Sequence, residues 1–178
     1  MNLDEIINNC KQGKHSAQQM LFDYLSPKMM TVCLRYLGNR EEAEDVCQIS
    51  FVKLFKNIHD FNKDGSFEGW VRRIFVNTSL DQIRKNKKTK YHMSVDDVGD
   101  KLENNDFTLE QMAAEDILKL VKEMPTGYRT VFNMFAIEGY SHKEIADHLA
   151  ITENTSKSQF KRARGYLMNS LEKLQHGK

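Results

Sequence analysis

Between positions 152 and 164 the chain sets Asn154, Ser158 and Lys161 at spacings of four and three residues. On a helix that turns about 100° per residue they form one row of polar tips. An asparagine pairs a donor with an acceptor, and serine and lysine add single bonds, which is the vocabulary that reads base edges in a groove. Thr155, Lys157 and Arg162 flank the row and Arg164 follows it, and cations placed this way suit phosphate oxygens. The opposite side is nearly apolar, with Ser156, Phe160, Ala163 and Leu167 at i, i+4, i+7 and i+11, a stripe about 60° wide.

Other chemistries lack their residues. The chain contains no phosphate-binding GxxxxGK[ST] loop, GxSxG elbow or HExxH pair. His142 and His148 are six apart on a short helix and make no ligand pair, so no metal is expected. Cys10, Cys33 and Cys47 are odd in number, far apart and free of any CxxC, and they read as small buried apolar groups. A catalytic residue, a metal and a cofactor are all absent from the expectation. Glu41 with Asp45 could serve a helical enzyme as an acid–base pair, but that reading has only a carboxylate cluster behind it.

Helices must position the polar row. In 178 residues there are only two prolines and nine glycines, with little β-branched alternation, so the expected class is all-α. Ser141 with Glu144 forms a capping box for a short helix, Ala150-Ile151-Thr152 makes a turn, and Thr152 caps the long helix with the polar row. A short helix, a tight turn and a basic second helix make a helix-turn-helix. Upstream, Ser26-Pro27 is expected to start a helix that stops at Gly38, preceded by shorter ones. Asn39 with Glu42 starts another to Ile58, with Val46, Ile49, Val52 or Lys53, Leu54 and Phe55 as its apolar side. Ser66 caps a third, to about Asn86, with Trp70, Ile74, Phe75 and Ile83 inward. Leu109 to Val121 build a helix ending before Pro125, and Thr126 caps one that Gly139 closes.

Charge divides the chain further. Seven Lys/Arg face Glu68 and Asp81 between 67 and 93, a local +5; nine acids face three lysines between 94 and 123, a local −6; from Tyr140 onward the local charge is +3. Two basic lobes with an acidic stretch between them suggest two contacts with a polyanion. The expected organisation is two small helical domains, 1–93 and 108–178, joined by a flexible acidic linker at 94–107. With no run of about 18 to 20 apolar residues and no basic-then-apolar leader, a cytoplasmic protein without direct membrane insertion is expected.

The stretch EGYSHKEIADHLAITENTSKSQFKRARGYL resembles region 4 of the extracytoplasmic function (ECF) group of sigma-70 family initiation factors. YLGNREEAEDVCQISFVKLFKNI resembles the group's core-polymerase-binding helix, and FEGWVRRIFVNTSLDQIRKNKK its minus-10 helix. The likeness spans about Ala17 to Leu174 with the motifs in order; Ser156, where an aliphatic residue is usual, and Gln159, where arginine is frequent, depart from it. The resemblance implies a sigma factor that binds core RNA polymerase and directs promoter recognition, with no activity as an enzyme, and an anti-sigma factor as a further partner. It implies that Asp45, Gln48, Phe51 and Leu54 bind core polymerase. Promoter DNA at the minus-10 element falls to Phe61, Lys63, Phe67, Trp70, Arg73, Asn77, Arg84 and Lys85, where a pocket captures an unstacked base and cations hold the backbone. Phe67 and Trp70 have two readings, stacking at the melted edge or packing in the core. The minus-35 element falls to Asn154, Thr155, Lys157, Ser158, Lys161, Arg162 and Arg164. A stand-alone helix-turn-helix regulator, binding duplex DNA without polymerase, is the alternative function.

Overall fold

The computed structural model describes residues 2–62, 64–90 and 114–176, with helices joined by short turns and no strand among the described residues. The chain divides into two compact units, Met1–Lys85 and Asn86–Lys178. The linker expected at 94–107 and the candidate Lys63 lie outside the described residues.

The first unit holds α1 (Leu3–Lys11), α2 (His15–Leu37), α3 (Arg40–Asn57), a 3-10 turn (Ile58–Asp60) and most of α4 (Phe67–Lys90). One expectation fails here, because no helix begins at Ser26-Pro27 and α2 runs straight through Pro27. Ala17, Leu21, Leu25, Met29, Val32 and Tyr36 form one buried stripe across that position, while Pro27 itself faces solvent. Burying such side chains is worth roughly 1.5 to 3 kcal/mol each, which outweighs the ~3 kcal/mol cost of an internal proline. Gly38 ends α2 in the left-handed conformation, φ 74°, donating its N–H to the Leu34 carbonyl.

Asn39 caps α3 through the Glu42 N–H, as its sequence predicts, but the face turned inward matches the expected one only at Val46 and Leu54. Ala43, Val46, Cys47, Ser50, Phe51 and Leu54 are buried, whereas Ile49 and Val52 are 47% and 53% exposed. Apolar residues surround this helix on most sides, so its periodicity alone does not choose the core face. Ser66 accepts the Gly69 N–H at the start of α4, which buries Val71, Phe75, Val76, Leu80 and Ile83. Beyond Ile83 the helix has only polar and basic residues, and the compact unit closes at Lys85.

The second unit holds α5 (Ala114–Glu123), α6 (Thr126–Phe132), a π-helical turn (Asn133–Ile137), α7 (His142–Leu149) and α8 (Glu153–His176). Pro125, not Thr126, occupies the cap of α6, since its fixed, extended backbone already turns the chain into the helix. Arg129 reaches back to the carbonyls of Lys122 and Met124 and so joins α6 to the end of α5. The core is Leu120, Val121, Met124 and Phe132 against Ala163, Leu167 and Leu171 of α8.

Candidate nucleic-acid interface

The capping box of α7 forms as its sequence predicts. Ser141 Oγ accepts the Glu144 N–H at 3.2 Å, and Glu144 accepts the Ser141 N–H at 2.8 Å. Ala150 then takes the left-handed conformation, φ 52°, and Ile151 donates to the Ala146 carbonyl, turning the chain sharply. Thr152 Oγ1 accepts the Thr155 N–H at 3.1 Å and starts α8. Ser156, Ala163 and Leu167 are fully buried and Phe160 half-buried, so α8 has its inner face where the periodicity sets it.

That inner face fixes the outer one. Asn154, Ser158 and Lys161 are exposed together, with Lys157, Arg162 and Arg164 exposed beside them. Lys157 pairs with Glu153 at 2.7 Å, and this ammonium holds the Glu153 carboxyl below the usual carboxylate range. Thr155 is half-buried, its hydroxyl 2.8 Å from that of Thr152, and so its side chain serves the cap. Gln159 turns inward over Gly127, its Oε1 3.5 Å from where a Cβ would stand there.

Sequence reasoning missed the partner of Ser156. Its buried hydroxyl lies 2.9 Å from His142 Nδ1, and the His142 ring stacks on Phe135 with centroids 4.3 Å apart. The signal that could have found it is the serine itself, because a hydroxyl in an apolar stripe needs a partner from the neighbouring helix.

In the first unit, Arg73, Asn77 and Arg84 are exposed, and their spacing along α4 puts them on one side, with the half-buried Trp70 at its edge. Lys85, also exposed, lies about 100° from Arg84. Arg84 is paired with Asp81 at 2.9 Å, and Asp81 lies 3.8 Å from Lys53 of α3. Phe61 and Phe67 are each only 6% exposed; they pack edge to face at 5.0 Å, with Trp70 within 5.8 Å of both. These two rings pack in the core, and Trp70 is the one of the three with an open edge.

On α3, Asp45 and Gln48 are exposed. Phe51 and Leu54 are not: Phe51 is 4% exposed, packed among Phe22, Phe55 and Phe75, and Leu54 is fully enclosed. They cannot add apolar area to a docking surface in this fold. Ile49 and Val52, four and seven residues after Asp45, are the exposed apolar residues on its side of α3, and counting along the helix from Asp45 would have found them. No group of three or more His, Cys, Asp or Glu among the described residues could hold a metal ion, and no described helix is long and apolar enough to cross a membrane.

Comparison with known proteins adds three findings. The family model described as Sigma-70 region 2 matches residues 21–89, and that described as Sigma-70, region 4 matches 114–167. The chain is 30% identical to the ECF RNA polymerase sigma factor SigW of Bacillus subtilis (strain 168), over 98% of this chain and 99% of that protein. It is 28% identical to the RNA polymerase sigma factor SigZ of the same organism, over 85% of each. Among solved structures, the sigma factor RpoE of Bartonella quintana, crystallised with the anti-sigma factor NepR, shares the fold at a TM-score of 0.52 and 18% identity, over 86% of this chain and 96% of that one.

Proposed function

We propose, since this chain belongs to the ECF group of the sigma-70 family and is a sigma factor that binds core RNA polymerase and directs promoter recognition, that its two units divide the work. The first unit docks on the polymerase through Asp45, Gln48, Ile49 and Val52 of α3. Its α4 face, with Asn77 at the base edge and Arg73, Arg84 and Lys85 on phosphates, acts with the adjoining turn of Asn62, Asp64 and Ser66 on the melted minus-10 strand. The second unit reads the minus-35 element with Asn154, Ser158 and Lys161 and holds its backbone with Lys157, Arg162 and Arg164. Phosphate binding by Arg84 exchanges its partner Asp81 for DNA, and Lys157 exchanges Glu153 in the same way.

The observation that carries this reading is the two-sided character of α8, with a buried stripe that meets α7 at Ser156 and packs on α5 and α6 at Ala163 and Leu167, and a polar row on the opposite side. The protein works in the cytoplasm. An anti-sigma protein covers the exposed apolar and acidic face of α3, a partnership of the kind solved for the Bartonella sigma factor. The test is run-off transcription by purified core polymerase on a genomic DNA library with and without this chain. Transcripts that start at defined sites only when the chain is present are expected. Duplex binding without polymerase, and no new transcripts with it, would overturn the assignment in favour of a stand-alone regulator.

A further inference from the structure

Lys11 closes α1 and lies outside the stretch that matches region 2. Its ammonium donates to the main-chain carbonyl of Phe61 at 2.6 Å and sits 5.9 Å from the centroid of the Phe61 ring. Phe61 is the residue from which the chain enters the turn before α4, and its own ring is fixed against Phe67 and Trp70. Within the turn, Asn62 Oδ1 accepts the Asp64 N–H at 3.3 Å. On the far side, Glu68 in the first turn of α4 accepts from Tyr24 Oη at 2.5 Å and from Lys28 Nζ at 2.8 Å, both on α2. The turn is therefore held at its two ends by side chains from two other helices.

A segment that must receive an unstacked base gains from having its shape set in advance, because ordering it on binding subtracts from the affinity. We propose that Lys11 is a positioning residue for promoter opening: by fixing the Phe61 carbonyl it holds the turn of Asn62, Asp64 and Ser66 in the shape that receives the captured minus-10 base. The inference rests on the reading of that turn given above. Lysine suits the task because its stem packs while its head brings a charged donor to a half-buried carbonyl, a bond stronger than a neutral one.

The experiment uses holoenzyme assembled with full-length variants, on duplex promoters and on templates already opened at the minus-10 element and varied base by base. Lys11→Met keeps the stem and removes the donor. It should leave initial duplex binding and the thermal midpoint of the free chain near wild type, lower permanganate-detected opening about fivefold, and relax base preference on the opened templates. Lys11→Arg should restore both. Asn62→Ala, measured alongside, separates the two readings. If Asn62→Ala loses base preference while Lys11→Met keeps it, the turn captures the base and Lys11 positions nothing. If both keep it, the turn is not the capture site and both readings fall. A Lys11→Met defect that follows a lowered midpoint and that arginine does not restore would mark ordinary stabilisation and overturn the positioning role.

Discussion

Lys157 and Lys161 are four residues apart on α8 and have the same side chain, yet their surroundings assign them different work. Lys157 lies about 100° around the helix from the buried stripe and already holds a carboxylate, whereas Lys161 points away from the stripe beside Asn154 and Ser158. Lys157→Ala should weaken holoenzyme binding to all promoters about equally and reduce the salt slope by about one. Lys161→Ala or Asn154→Ala should cost roughly 1 to 3 kcal/mol at particular minus-35 positions and relax preference there. Binding of holoenzyme to single-base minus-35 variants at two salt concentrations makes the comparison, and equal losses on every variant for all three would withdraw the base-reading assignment. These residues were legible from sequence because a stripe of known width fixes its own opposite. The His142–Ser156 bond was not, since it joins residues fourteen apart through a turn whose geometry depends on Ala150 adopting a positive φ. The three cysteines were read correctly as buried groups, and all are free thiols. What spacing could not supply is that the neighbouring Cys47 thiol and burial together push the Cys33 thiol far above its ordinary range.

At the level of whole helices, four caps were legible, whereas the start of α2, the cap of α6 and the buried face of α3 were not fully so. Asn39, Ser66, Ser141 and Thr152 each accept an N–H from the first turn they precede, an interaction that depends on residues three apart and so is written locally. The face a helix buries depends on its neighbours, and α3 has apolar residues on both its inner and outer sides. That division yields a test. Ile49→Lys with Val52→Lys should sharply reduce assembly with core polymerase while leaving the melting midpoint within a few degrees of wild type, because both positions are exposed. Phe51→Ala should instead cost about 3 to 5 kcal/mol of stability by opening a cavity among Phe22, Phe55 and Phe75. Pull-down of core polymerase beside thermal unfolding of the free chain separates the two outcomes. A double lysine variant that binds core normally would show that α3 docks through another surface.

For the molecule as a whole, the alternation of basic, acidic and basic segments marked two parts before any fold was known, and the chain does form two compact units, each with its own core. Leu54 is buried with Phe75 and Leu80 in the first unit, and Leu167 with Val121 and Phe132 in the second. Separate cores predict separate stabilities. Leu54→Ala and Leu167→Ala should each cost about 2 to 5 kcal/mol, but in different places. Hydrogen exchange should show lost protection confined to α1–α4 in the first variant and to α5–α8 in the second. The functional consequence follows the same division. Holoenzyme with Leu167→Ala, assayed near the melting midpoint of its second unit, should keep core binding and lose discrimination among minus-35 variants, because α8 takes its orientation from the stripe that contains Leu167. Leu54→Ala should lose core binding first, since α3 is the helix whose inner face it vacates. Loss of protection across both units from either substitution would mean that the two fold as one cooperative body, and minus-35 reading could not then be disabled separately from polymerase binding.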